Sequence, residues 1–216
     1  MGLCRNRSLA LGISPKIGTF VTHTTKKLKK RKNKYMGNFK EDIAKVEAFV
    51  FDVDGVFTDG GIIPLANGDF IRKYNAKDGY AVAYAVKHGY KVVIISGGRG
   101  ETLAKRFKHL NVSELHIDVS DKLSCLNEII ERNGWNRENV LFMGDDIPDL
   151  ECMRAVGLPV APADAAWECI EASRYVSEFA GGQGCVRDII EQVLRAHGVW
   201  AKDSEGVTCS KDVVSA

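Results

Sequence analysis

The stretch Ala48-Phe49-Val50-Phe51-Asp52-Val53-Asp54-Gly55-Val56-Phe57-Thr58-Asp59-Gly60 decides the fold. Its first four residues are apolar and follow the charged Lys45 and Glu47, which predicts a strand buried on both faces. Asp52 and Asp54 then break the run two residues apart, with Gly55 behind them. Gathered carboxylates repel one another and lose hydration unless a cation or hydrogen bonds offset the cost. The end of a buried strand is also where open α/β sheets hold ligands. The plainer alternative is an acidic turn, because Asp and Gly both favour turns.

Upstream, Asn38 is placed to cap a short helix over 39–45, with Glu41 and Asp42 in its first turn. Downstream, the apolar arms 61–65 and 70–74 flank Ala66-Asn67-Gly68-Asp69. An Asn-Gly turn between apolar arms predicts a β-hairpin, which would project over the acidic loop as a flap across 61–74. An ordinary surface hairpin is the alternative. Val82, Ala85 and Val86 give helical spacing over 80–88, and Gly89 can end that helix. A second apolar strand, Lys91–Ile95, stops at Ser96-Gly97-Gly98-Arg99-Gly100 before a helix over 101–109. The pattern continues with a strand at 115–117, a helix over 121–133 capped by Ser120, and a strand at 139–143. After Gly144-Asp145-Asp146-Ile147-Pro148-Asp149 come a helix at 150–155, a strand at 157–161, a helix at 165–172, an edge strand at 175–176 and a last helix at 188–197. Strands alternating with helices predict an α/β fold whose mainly parallel sheet is covered on both faces.

At 216 residues the chain has room for one substantial domain, and 27% charged residues is ordinary for a soluble protein. No run of eighteen or so apolar residues reads as a membrane span. The six cysteines, at 4, 125, 152, 169, 185 and 209, form no Cys-x-x-Cys pair. They read as small buried apolar groups in a reducing, cytoplasmic setting, neither a disulfide framework nor a zinc site. The net charge of +2 conceals a division: residues 1–35 carry Lys and Arg but no Asp or Glu, so the remainder is acidic. The block from Lys26 to Lys34 leaves three readings: a basic tail for nucleic acid or anionic lipid, a targeting peptide, or translated sequence ahead of a start at Met36. The favoured division is a non-folding extension over 1–35, a domain over 36–200 and a polar tail over 201–216, with no nucleic acid or membrane expected for the core.

Three polar breaks fall at strand ends: Asp52 with Asp54, Ser96, and Asp145 with Asp146 and Asp149. Lys122 falls at a helix start. In a parallel sheet the C-terminal strand ends share one edge, so these groups can converge. Carboxylates around one crevice suit a hard cation with oxygen ligands, Mg²⁺ first. Ser96, Lys122 and loop amides suit phosphoryl oxygens. No Gly-x-x-x-x-Gly-Lys-Ser/Thr loop is present, which argues against a P-loop kinase. Taken singly, each residue has a plainer role: Asp54 as a cap, Ser96 as a loop residue, Lys122 as a solvated helix charge.

Taken together, the motifs Asp52–Gly60, Ser96-Gly97-Gly98, Asp121-Lys122-Leu123 and Gly144–Asp149 resemble the haloacid dehalogenase superfamily, in its capless sugar-acid phosphatase branch. The resemblance spans about 46–195. It implies a Rossmann-like three-layer fold with a projecting hairpin and no large cap domain, and Mg²⁺-dependent phosphomonoester hydrolysis. It makes Asp52 the nucleophile, Asp54 the acid and then base, Ser96 a phosphoryl hydrogen-bond donor, and Lys122 the partner of both the phosphate and Asp52. It places the metal on Asp52, the main-chain carbonyl of Asp54 and Asp145, with Asp146 and Asp149 in support. Many relatives read Thr-Gly-Arg where this chain reads Ser96-Gly97-Gly98-Arg99, so Arg99 is left unassigned and Arg106 is read as a surface charge.

The resemblance further implies a phosphorylated 2-keto-3-deoxy sugar acid as substrate, the eight-carbon acid first and the nine-carbon homologue second. Gly97, Lys73, Lys77 and Asp78 are the candidate substrate contacts. So is Arg187, behind the Gly-rich run Gly181-Gly182-Gln183-Gly184, which would close on a neighbouring site. A homotetramer is implied, its hairpins joined through Ile62, Ile63, Leu65, Phe70 and Ile71. Two other classes stay open: a non-catalytic assembly module that keeps its metal ligands, and a basic-arm nucleic-acid-binding protein.

Overall fold

The computed structural model describes residues 39–202. The basic extension, the proposed helix cap Asn38, and nearly all of the C-terminal tail lie outside the described residues.

Strand β1 (Ala48–Phe51) is fully buried. Side chains alternate along a strand, so Phe49 and Phe51 enter one hydrophobic core and Val50 enters another. The same division holds in β4 (Lys91–Ile95), where Val92 and Ile94 oppose Val93 and Ile95, and in β6 (Val140–Met143), where Leu141 and Met143 oppose Val140 and Phe142. A sheet apolar on both faces requires a helical layer on each.

The sheet has six strands in the order β5-β4-β1-β6-β7-β8, where β5 is Glu114–His116, β7 is Leu158–Ala161 and β8 is Tyr175–Val176. Every pairing in it is parallel. One face is covered by α2 (Ala76–Lys87), α3 (Glu101–His109) and α7 (Cys185–Ala196), through Ala81, Val82, Leu103, Phe107, Ile189 and Val193. The other is covered by α4 (Lys122–Asn133), α5 (Leu150–Arg154) and α6 (Trp167–Ala172), through Leu126, Ile129, Met153 and Cys169. A short helix α1 occupies residues 39–43. This is the expected three-layer α/β architecture, and no large cap domain is present among the described residues.

The hairpin also forms. Ile63–Pro64 (β2) pairs antiparallel with Phe70–Ile71 (β3), and the Leu65 N–H donates to the Asp69 carbonyl at 2.9 Å to close the turn. The arms are two residues each, shorter than the apolar runs predict, and they do not join the main sheet.

Several element starts differ from expectation by a residue or more, and three of them bear on the site. Helix α2 begins at Ala76 because Asn75 Oδ1 accepts from the Lys77 N–H at 2.9 Å, so Asp78 lies in its first turn. Helix α4 is capped by Asp121, which accepts from the Ser124 N–H at 2.9 Å, and not by Ser120. Helix α7 begins at Cys185, which puts Arg187 inside its first turn.

The strand order places the site. From β1 the chain leaves toward the α2 face, and from the adjacent β6 it leaves toward the α5 face. Loops diverging from neighbouring parallel strands leave a crevice between them, and the acidic motifs sit at these two strand ends.

Candidate active site

Asp52 is the first residue after β1, its N–H anchored on the Met143 carbonyl of β6 at 3.1 Å. It is 6% exposed. Lys122, at the first position of α4, sets its Nζ 2.9 Å from Asp52 Oδ1 and 2.8 Å from Asp149 Oδ1. Asp149 Oδ2 accepts from the Asp145 N–H at 3.1 Å, which fixes the loop after β6. Asp52, Asp145 and Asp149 thus bring one carboxylate oxygen each within 4.8 Å of one another. The backbone of the β1 loop makes room for this. Gly55 has φ +86°, and a Cβ there would lie 2.0 Å from Asp145 Oδ2.

The charges in this cluster are strained toward neutrality. Burial, followed by the negative charge of Asp149, pushes the Asp52 carboxyl up to about 7, against the opposing pull of Lys122. Burial and the neighbouring carboxylates of Asp52, Asp149 and Asp146 push Asp145 up to about 8. Burial works against the charge on Lys122, but Asp52 and Asp149 outweigh it and hold the ammonium well above its ordinary range. Three carboxylates sharing one cation carry excess negative charge. A divalent ion with oxygen ligands fits this donor set and would relieve the repulsion. Asp146 stands apart: its side chain is exposed, and its carbonyl accepts from Cys169 Sγ at 3.2 Å.

A crevice of ≈ 460 Å³ opens beside the cluster, lined by Asp52, Asp54, Ser96, Gly97, Asp118 and Lys122 among others. Ser96 is 1% exposed, and its Oγ accepts from the Gly98 N–H at 2.9 Å. Asp54 is met by a residue that sequence reasoning passed over. Arg72, at the exit of β3, places Nε 2.8 Å from Asp54 Oδ1 and Nη2 3.0 Å from Asp54 Oδ2.

A model of the haloacid dehalogenase-like hydrolase family matches residues 111–187. The 3-deoxy-D-manno-octulosonate 8-phosphate phosphatase KdsC of Escherichia coli (strain K12) is 36% identical over 159 residues, covering 72% of this chain and 85% of its own length. The chain belongs to the haloacid dehalogenase-like hydrolases. It closely resembles KdsC-type phosphatases in structure too. The crystal structure of the Yersinia pestis 3-deoxy-D-manno-octulosonate 8-phosphate phosphatase superposes with a TM-score of 0.72 at 32% identity, over 75% of this chain and 88% of that one. That of the Moraxella catarrhalis enzyme, in complex with magnesium ion, phosphate ion and a KDO molecule, gives 0.72 at 27% identity, over 74% and 92%. On a fold of this family, the carboxylate cluster supports phosphomonoester hydrolysis.

Within this family frame the remaining predicted contacts sort by burial. Gly97, Lys73 and Lys77 are exposed. Asp78 does not reach the crevice: it is 0% exposed, and Oδ1 accepts from the Arg187 N–H at 2.7 Å, capping α7 from α2. Burial pushes its carboxyl up to about 6. Arg187 is not among the residues that line the crevice of its own chain. Its guanidinium lies 4.4 Å from the Trp200 ring centroid and 5.7 Å from that of Tyr80, with Nε 2.7 Å from Glu191 Oε2. A planar cation stacks readily on aromatic faces, which explains the preference. Arg99 is exposed, and its carbonyl accepts from Arg72 Nη1 at 3.5 Å. Arg106, read as a surface charge, is half-buried over the Tyr74 ring. The Gly-rich run meets the β1 loop directly, the Gly182 N–H donating to the Val56 carbonyl at 2.9 Å.

Proposed function

We propose that the protein hydrolyses 3-deoxy-D-manno-octulosonate 8-phosphate to 3-deoxy-D-manno-octulosonate and phosphate, through an aspartyl-phosphate on Asp52 and with Mg²⁺ bound. The observation that carries the reading is the placement of Asp52 at the centre of the site, paired with Lys122 at 2.9 Å and flanked by Asp145 and Asp149. The KdsC-type relatives support the substrate assignment.

The Asp52 carboxylate attacks phosphorus while the bond from phosphorus to the alcohol oxygen breaks, and Asp54 delivers the proton that the departing alkoxide takes up. A water molecule then attacks the same phosphorus. Asp54 accepts the water's proton, the phosphorus–Asp52 bond breaks, and phosphate leaves. Lys122 holds a positive charge beside Asp52 as negative charge gathers on the phosphoryl oxygens, and Ser96 offers a hydroxyl to them. Asp52, the Asp54 carbonyl and Asp145 would hold Mg²⁺, with Asp149 in support; when bound, the ion neutralises charge on the transferring phosphoryl group. Charge neutralisation and positioning account for most of phosphoryl-transfer catalysis.

The reading extends to a homotetramer acting in the cytoplasm. Ile62, Ile63, Leu65 and Ile71 are 50%, 61%, 37% and 48% exposed along a single hairpin. An apolar, unpaired hairpin of this kind supports packing against further copies of the chain, which would enclose the open crevice. Exposed Lys73 and Lys77 at its exit, with Gly97, are then the substrate contacts, and Arg187 is a candidate contact from a neighbouring copy.

The test is phosphate release from the eight-carbon and nine-carbon phosphorylated keto-deoxy acids with Mg²⁺. Turnover of the eight-carbon acid that disappears in Asp52→Asn is expected. Preference for the nine-carbon acid would move the substrate assignment, and release from neither would remove it.

A further inference from the structure

We infer that Arg72 is the positioning residue for the Asp54 acid/base group, that Asp69 and Thr102 hold Arg72 in place, and that Asp54 Oδ2 is the oxygen that exchanges the proton. The inference rests on the phosphatase reading above.

Hydrogen-bond capacity picks out the oxygen. A carboxylate oxygen has two lone pairs. Asp54 Oδ1 receives Arg72 Nε at 2.8 Å and the Thr58 hydroxyl at 3.4 Å. Thr58 Oγ1 itself accepts from the Gly55 and Gly60 N–H groups at 3.3 and 3.2 Å, so its proton is left for Asp54. Both lone pairs of Oδ1 are therefore engaged. Among the described residues Oδ2 accepts from Arg72 Nη2 alone, at 3.0 Å, and keeps a lone pair. Oδ2 also lies toward the phosphoryl end of the crevice. A Cβ built on Gly98 would sit 2.8 Å from Arg72 Nη2, 3.0 Å from Ser96 Oγ and 3.1 Å from Asp54 Oδ2, so these three atoms converge on one point.

Arg72 is itself held. Its side chain is 3% exposed, although the hairpin that carries it is largely open to solvent. One turn away, Asp69 caps the start of α3: Oδ2 accepts from the Thr102 N–H at 3.2 Å, and Oδ1 from the Thr102 hydroxyl at 3.2 Å. The same hydroxyl lies 3.1 Å from the Phe70 carbonyl. The hairpin base is thus clasped to α3, and Arg72, just past β3, delivers the guanidinium. The planar fork fixes the Asp54 carboxylate in both position and plane, which a single-point ammonium cannot do.

The experiment separates protonation of the leaving group from substrate binding. Rapid-quench bursts of leaving-group release would be measured for wild type, Arg72→Ala, Arg72→Lys and Thr102→Ala, with the sugar-acid phosphate and with 4-nitrophenyl phosphate, whose phenolate departs without a proton. Arg72→Ala should slow the burst on the sugar-acid phosphate by about 10²-fold with little change in KM, and by less than about 10-fold on the nitrophenyl ester. Arg72→Lys should recover part of the rate. Thr102→Ala, which keeps Arg72 but loosens its clasp, should show a smaller loss with the same selectivity for the poorer leaving group. Equal losses on both esters, or a raised KM with the burst rate kept, would overturn the inference. Wild type inactive on both esters would instead overturn the phosphatase reading beneath it.

Discussion

Gly55 and Asp145 share a single small volume: the space a Cβ would take on Gly55 holds the Asp145 carboxylate, 2.0 Å from Oδ2. The β1 loop therefore carries two constraints at one residue, a left-handed backbone at φ +86° and the close approach of a carboxylate of the Asp52 cluster. Gly55→Ala should cost about 1–2 kcal/mol in backbone strain alone and push Asp145 out of the cluster. The expected outcome is a folded enzyme with a lowered melting temperature and at least about tenfold weaker apparent Mg²⁺ affinity, about 1.4 kcal/mol. Titrating activity against Mg²⁺ checks it; an unchanged Mg²⁺ midpoint would separate Gly55 from the metal site.

Lys122 is the cation that balances Asp52 and Asp149 in a buried setting. Removing one partner of such a network leaves charge uncompensated and costs about 3 kcal/mol or more. Lys122→Met should abolish turnover and lower the urea midpoint. The destabilisation should be larger at pH 8 than at pH 5, because Asp52, whose carboxyl is pushed up to about 7, is already neutral at the lower pH and needs no cation there. Equal losses at the two values would contradict the charge argument.

The carboxyls of Asp78, Asp52 and Asp145 are pushed up to about 6, 7 and 8 from an ordinary 3.8. A raised acid binds more protons folded than unfolded, so its contribution is complete below 3.8 and is lost as pH climbs through the folded value. Metal-free protein should lose stability from about pH 4 to pH 8, and Asp78→Asn should remove the part of that loss that falls between about pH 4 and pH 6. Urea titrations across this range are the check. A flat profile would contradict the raised values.

The same groups bear on metal binding. Protons compete with a cation for Asp52 and Asp145, so apparent Mg²⁺ affinity should rise between about pH 6 and pH 8 and level off above. Calorimetry in two buffers of different ionisation enthalpy should detect proton release on binding near pH 7, and none near pH 9.

Ile63 and Ile71 face each other across the hairpin and are 61% and 48% exposed. Replacing both with Glu should leave the monomer fold intact, since neither packs in a core. If the hairpins join copies of the chain, the molar mass in light scattering should fall. An unchanged mass would place the contact elsewhere.

Much of this was legible in the sequence because the signals are local. The run Ala48–Phe51 is apolar enough to force two-sided burial, Asp52 and Asp54 interrupt it within one turn, and Asn67-Gly68 marks the hairpin. The long-range pairings were harder. Arg72 reaches back across the hairpin to Asp54, and no propensity encodes that distance. The available signal was alternation: Phe70 and Arg72 are half-buried while Ile71 between them is exposed. The apolar spacing of α2 begins only at Tyr80 and leaves Asp78 in the preceding loop, where it reads as accessible to a substrate. The Asn75 cap, once recognised, moves Asp78 into the first turn of a buried helix and toward the N-terminus of α7. The stacking of Arg187 on Trp200 and Tyr80 brings together distant parts of the chain, and no local pattern encodes it.

The central claim is that Asp52 takes the phosphoryl group. Acid-quenched turnover followed by borohydride reduction converts an acyl phosphate to the corresponding alcohol, and peptide mass spectrometry locates it. Reduction at Asp52 during turnover, and at no residue in Asp52→Asn, is the predicted result. Continued phosphate release with no reduced carboxyl, or with one at another residue, would contradict it.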